Sequence, residues 1–188
     1  MSFERLVPGA VDTLTRWAPD APRMAGLRDD YLRCIETHGA SALQKGGHSS
    51  HLTASCFVLD PAATSILLTY HRKGRFWVQF GGHLEAGDSS LSAAALRETI
   101  EESGVRSFRT EPGAIFDLDR HALTSAFGNC REHLDVAFVA SCERSAPIQV
   151  SLESEDVAWW PVDDLPQDVV PDLPPRVHRA VQWARQAA

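Results

Sequence analysis

Apolar residues recur at helical spacing through the first 45 residues, then give way to the short runs of a sheet protein. After Pro8, Val11, Leu14 and Trp17 fall on one side of a helix. Residues 18–22, with two prolines, form a turn. Met24, Leu27, Tyr31 and Cys34 or Ile35 then mark one face of a second helix, which Gly39 stops. Residues 41–50 read as a loop. Beyond them, residues 52–59 and 65–70 are β-type runs around a turn at Asp60-Pro61, a hairpin candidate. A basic loop at 71–75 precedes a short aromatic strand at 76–80, which Gly81 and Gly82 break. Residues 91–103 predict a helix with Ser90 as N-cap and Gly104 at its end. Further strands are expected at 106–109, 114–118, 134–142 and 157–162, the last closed by Pro161. Pro174 and Pro175 lead into a final amphipathic helix with Val177, Val181 and Ala184 facing inward. The sum is an α+β chain: a mixed sheet with one central and one C-terminal helix over residues 46–188, preceded by a helical extension over 1–45.

The chain has 188 residues, enough for one domain with a sizeable core and a small appendage. Its formal net charge of −7 argues against a nucleic-acid polymer as partner. The same charge means that an anionic substrate has to be held by local basic groups or by a bound cation. Cys34, Cys56, Cys130 and Cys142 form no CxxC pair and no zinc-ligand spacing, and read as reduced thiols. The first residues lack the pattern of a signal peptide, and no apolar run approaches membrane-spanning length. The expectation is a cytoplasmic protein without a membrane partner.

Chemistry concentrates in residues 81–105, GGHLEAGDSSLSAAALRETIEESGV. On a helix, Glu101 and Glu102 lie three and four residues beyond Glu98, so the three carboxylates project from one narrow face. Like charges that close repel, unless a cation sits among them or the face is fully solvated. Carboxylate oxygens suit a hard ion, Mg²⁺ or Mn²⁺ in its place. Arg97, four residues before Glu101, can pair with it and orient it. The double glycine allows a backbone carbonyl to approach a metal or a phosphate closely.

This segment resembles the Nudix box, G-x5-E-x7-R-E-U-x-E-E-x-G-U, where U is aliphatic. Gly82 matches its first glycine, and Arg97, Glu98, Glu101, Glu102, Gly104 and Val105 match its second half. There are three departures. Asp88 stands for the first glutamate, eight residues rather than seven separate it from Arg97, and Thr99 replaces an aliphatic. The extra residue falls within 89–92, at the junction of loop and helix. Outside the box, the strand pairs before it, His133–Val136 and Trp159–Pro166 are also similar to members of the family.

The resemblance implies an α/β/α sandwich and Mg²⁺-dependent hydrolysis of a nucleoside diphosphate linked to another group, a small nucleotide-like substrate. It implies metal ligation by Glu98 and Glu102, with Glu101 and the Gly82 carbonyl as further ligands, and an orienting role for Arg97. Glu101 is the first candidate for general base, with Glu153 or Glu155 as alternatives. Arg72 and Arg75 are candidate phosphate contacts because guanidinium groups chelate phosphate oxygens, and His83 is a candidate substrate contact. Family signatures for NADH, coenzyme A, ADP-ribose and dinucleoside polyphosphates are absent, which leaves the linked group open.

Other features have plainer readings. His48 and His51 sit in what reads as a polar loop, since a metal site there needs ligands that the sequence does not identify. Trp159 and Trp160 read as strand-end core anchors. His133 and Asp135 alternate along a strand and share a face, which suits either a substrate surface or a hydrogen bond between them. The rival functional reading is a non-catalytic Nudix-fold ligand-binding or regulatory module, but such modules usually lose the box carboxylates. An isomerase of the same fold needs a cysteine motif that is not evident. A homodimer is the favoured assembly, with the N-terminal helices as one candidate interface.

Overall fold

The computed structural model describes residues 2–19, 21–122, 130–151 and 154–187. The axis of the sheet is β1 (Ser50–Leu59), which pairs in parallel with β6 (Glu132–Ser141) along its whole length, Ser50 opposite Glu132 and Leu59 opposite Ser141. Outside β6 lies β5 (Ile115–Ala122), antiparallel. The other edge of β1 is shared. Val58 and Leu59 pair with β2 (Ser65–His71), closing the expected hairpin, while Thr53–Cys56 pair with β4 (Phe80–His83). Beyond Leu67, β2 diverges from β1 and takes β3 (Phe76–Val78) in its place, with β7 (Ser154–Pro161) on its far edge.

Two strand expectations need correction. The strand expected at 76–80 and ended by the glycines is instead two strands over 76–83, because the halves pair with different neighbours across the fork between β1 and β2. Gly81 and Gly82 lie inside β4, opposite Ser55 and Ala54. Residues 106–109 form no strand. Arg106, Ser107 and Arg109 are exposed and only Phe108 packs against the core, so the run meets the sheet only at its end, through the Arg109 N–H on the Ser141 carbonyl at 2.7 Å and the Thr110–Ser141 bridge.

Alternation along β1 puts its side chains on two faces. Leu52, Ala54, Cys56 and Val58 enter one core together with α1 (Leu6–Arg16), α2 (Pro22–His38) and α3 (Leu91–Ser103). Phe57 and Leu59 enter the other, closed by α4 (Leu173–Ala187) through Leu173, Val177, Ala180 and Val181. The result is the α/β/α sandwich with a mixed sheet. The N-terminal helices belong to the same core as α3. Leu6, Ala10 and Leu14 are the buried row of α1, with Val11 and Trp17 partly buried beside it. In α2 the buried row is Met24, Tyr31 and Ile35, and the Tyr31 hydroxyl donates to the Asp119 carbonyl at 2.5 Å. Pro8 does not precede α1 but lies inside its first turn, and Pro174 and Pro175 lie in the first turn of α4, where a missing N–H removes no helical hydrogen bond.

On the α4 side, the first half of the sheet is polar. Asp135 accepts from Ser55 (2.6 Å) and Thr53 (3.2 Å), and Arg176, 2% exposed, donates to Asp135 (2.8 Å) and Asp117 (3.0 Å). Arg179 also donates to Asp117, at 2.7 Å. Asp135 is therefore bound to hydroxyls and guanidinium rather than to His133. Removing one partner of such a set leaves buried charge uncompensated. Arg176→Ala is expected to lower stability by about 3–5 kcal/mol, whereas Arg109→Ala, which breaks an exposed pair with Glu143, should cost under about 1 kcal/mol. Urea denaturation of both variants, read as a shift of midpoint, checks the contrast.

Candidate active site

Helix α3 starts and stops where its sequence dictates. The Ser90 hydroxyl accepts from the Ala93 N–H at 3.0 Å, and Gly104 ends the helix in the left-handed conformation at φ 71°. The helix packs against β4 and β1, so its carboxylates meet the double glycine. The Gly81 N–H donates to Glu102 Oε2 at 3.1 Å, and Glu102 is buried. Glu98 occupies the space above Gly82: a Cβ added there would stand 2.6 Å from the Glu98 carboxylate carbon. Glycine leaves this room to the Glu98 carboxylate, which a side chain at 82 would push aside.

Arg97 holds the rest of the cluster. Its guanidinium donates to Asp88 through Nε (2.9 Å) and Nη2 (3.1 Å), to Glu98 (3.0 Å), to Glu101 (3.0 Å) and to the His83 carbonyl (3.0 Å). Burial opposes its charge, but Asp88 and Glu98 raise its pKa above the ordinary value. Asp88 thus has a definite place. Its side chain, 5% exposed, pairs with Arg97 and accepts from the Glu85 N–H at 2.7 Å, tying the loop before α3 to the helix. With eight residues between them, Asp88 and Arg97 still pair directly. Thr99 is also accommodated, since its buried hydroxyl returns to the Ala95 carbonyl at 2.7 Å.

The structure therefore brings together Gly82, Arg97, Glu98, Glu101, Glu102 and the backbone of His83. Glu101 is the exposed carboxylate of the three, its side chain 57% accessible. Arg72 and Arg75 lie apart on the exposed turn between β2 and β3, where Arg72 donates to the Ser154 carbonyl at 3.2 Å. Glu155 is exposed on β7, and Glu153 lies outside the described residues. The His83 ring sits with His51 and His133, centroids 5.1 and 5.0 Å away. Burial, then the charge of Lys45, pulls the His83 pKa down to about 4. Burial, then His83, pulls His133 down to about 3. His51 is fully buried on β1, not in a polar loop, because β1 begins at Ser50. The sequence does not show this cluster, since its members come from three strands that only the sheet register brings side by side.

A mixed sheet between helical layers, with a carboxylate-bearing helix seated on a double-glycine strand, defines a protein of the Nudix class. The family model for the NUDIX domain matches residues 49–183. No curated protein matches the sequence. Among solved structures, the chain is similar to a NUDIX family hydrolase from Clostridium perfringens, at 18% identity and a TM-score of 0.55, covering 73% of this chain and 98% of that one. It is also similar to an Ap4A hydrolase from C. elegans, solved as a binary complex (15% identity, TM-score 0.58, 72% and 98% covered). A third is the NUDIX domain of Shewanella oneidensis NrtR, solved with ADP ribose (20% identity, TM-score 0.56, 70% and 86% covered). This chain belongs to the NUDIX family.

The fit between Gly82 and Glu98 can be measured. Gly82→Ala is expected to cost about 1–3 kcal/mol, because the added methyl meets the carboxylate. In a double-mutant cycle with Glu98→Ala, part of that cost should be recovered, giving a coupling above about 0.5 kcal/mol in denaturant unfolding. Strict additivity would show that the strand, not the glutamate, yields.

Proposed function

We propose that the protein is a Mg²⁺-dependent hydrolase that splits the pyrophosphate bond of a nucleoside diphosphate linked to another group. The observation that carries this reading is the convergence of Glu98 and Glu102 on the Gly81–Gly82 backbone, one filling the space over Gly82 and the other accepting from Gly81. Hard carboxylate oxygens on one side of a close-approach glycine fit a hard divalent ion. Glu98 and Glu102 would hold it, with Glu101 and the Gly82 carbonyl as further donors. When bound, such an ion neutralises phosphate charge and lowers the pKa of water.

The chain's own groups account for the remaining requirements. Arg97 fixes the directions of Glu98 and Glu101 and holds the loop through Asp88. Glu101, exposed and oriented, takes the proton of the attacking water. Arg72 and Arg75 supply positive charge toward the phosphates of the substrate from the turn between β2 and β3. His83, with its ring among the histidines, contributes to the site through its carbonyl on Arg97.

Assay with Mg²⁺ against nucleoside triphosphates, NDP-sugars, ADP-ribose and dinucleoside polyphosphates tests the proposal. Turnover of one class is expected, lost on chelation. Several kcal/mol of charge stabilisation correspond to two or more orders of magnitude in rate, so Glu102→Gln should lose at least about a hundredfold in kcat/KM. A panel member that binds but is not turned over, with Mg²⁺ leaving the protein unchanged in a binding titration, would instead favour a ligand-binding module.

A further inference from the structure

We propose that His51, His83 and Cys130, with His133 as the fourth donor, form a second metal site, chemically distinct from the carboxylate site and suited to Zn²⁺. The ligand atoms of His51, His83 and Cys130 all lie within 4.8 Å of one another. Around a tetrahedral zinc with ordinary Zn–N and Zn–S distances, neighbouring donors stand roughly 3.3–3.6 Å apart, so modest side-chain rotation closes the set. The His133 ring lies beside these donors on β6, its centroid 5.1 Å from that of His51 and 5.0 Å from that of His83.

A second observation points to a ligand. Nε2 of His51, His83 and His133 is in each case buried with no hydrogen-bond partner among the described residues. One such atom costs about 1–3 kcal/mol, and three of the same kind in one place call for a shared cause. For His51 the protonation pattern follows from its contacts. The ring is fully buried, and its Nδ1 lies 3.0 Å from the His48 carbonyl. A carbonyl only accepts, so Nδ1 carries the hydrogen, and Nε2 is left as a bare, buried lone pair. A ring N–H on a backbone carbonyl with the opposite nitrogen free is how histidine ligands are held. Cys130 is a buried free thiol, and one thiolate among imidazoles selects zinc over magnesium.

The two sites lie on opposite faces of β4. Gly82 turns its open side to Glu98, while the neighbouring His83 turns its ring the other way, to His51 on β1 and His133 on β6. A zinc ion there would tie β4 to β1 and β6 and so fix the strand that carries Gly82.

The test uses the full chain stripped with a chelator, then titrated with Co²⁺ under excess Mg²⁺. One equivalent is expected to bind with the charge-transfer absorption of a cobalt–thiolate bond, and Zn²⁺ should displace it. Glu98→Gln/Glu102→Gln should keep the band, Cys130→Ser should lose it, and Cys34→Ser should keep it. Absence of the band, its survival in Cys130→Ser, or its loss in the glutamate variant would overturn the proposal. Should Cys130→Ser fail to fold, the wild-type protein decides: Zn²⁺ is expected to protect Cys130 from alkylation, mapped by mass spectrometry, and unchanged labelling would count against the site.

Discussion

Arg176 is the residue that lets a polar half-sheet be buried. The faces of β1, β5 and β6 turned toward α4 begin polar, with Thr53, Ser55, Asp117 and Asp135, and end apolar, with Phe57, Leu59, Ala137 and Val139. A wholly apolar α4 would cover the second half well but strand two carboxylates under the first. Arg176 spans the boundary, its guanidinium between Asp117 and Asp135 and 5.1 Å above the Phe57 ring. A buried ion pair of this kind is weak as a source of net stability compared with apolar packing. Its effect here is on register. Sliding β6 by one residue would turn Asp135 to the opposite face, against the apolar layer of α1, α2 and α3, away from any guanidinium. The alignment of β6 with β1 follows, and with it the position of β4 and of Gly82.

The carboxylate face of α3 is organised around a single guanidinium. Arg97 has Asp88, Glu98 and Glu101 at ion-pair distance and Glu85 at 3.9 Å. One positive charge cannot neutralise so many negative ones, so the arrangement keeps a net affinity for a further cation while fixing the directions of the side chains. Asp88, the shorter side chain, reaches Arg97 because the turn from Glu85 to Asp88 brings it close, closed by the Asp88 N–H on the Glu85 carbonyl at 3.0 Å.

Local signals in the sequence were strong where the physics is local. Helix α3, its Ser90 cap, its Gly104 end and the shared face of its glutamates depend on residues a few positions apart, and each is present as read. The mixed sheet with its central and C-terminal helices was legible from alternation and apolar rows, whereas the α/β/α layering was implied only by the resemblance of the 81–105 segment. What depended on long-range pairing was not. The fork between β1 and β2 splits residues 76–83 into two strands, and nothing within that segment announces it. The run at 106–109 meets the sheet only at Arg109, on the Ser141 carbonyl, and forms no ladder. Arg176 looks in sequence like a polar residue beside the apolar row of α4, since its partners are about 40 and 60 residues away. His51 reads in sequence as a loop residue because its partners, on β4 and β6, are named only by register.

The same register explains how β4 can serve two chemistries. In a strand, consecutive residues face opposite ways, so Gly82 and His83 are separated by the sheet although adjacent in sequence. On the α3 side the donors are carboxylate oxygens, hard and suited to magnesium. On the other they are imidazole nitrogens and a thiol, softer and suited to zinc. Because the donor types differ, the two faces would select ions by ligand preference rather than compete for one. The two faces remain mechanically joined: the His83 carbonyl accepts from Arg97 on the carboxylate side, while its ring lies among the histidines. Any restraint on that ring is therefore transmitted through one residue to the guanidinium that orients Glu98 and Glu101.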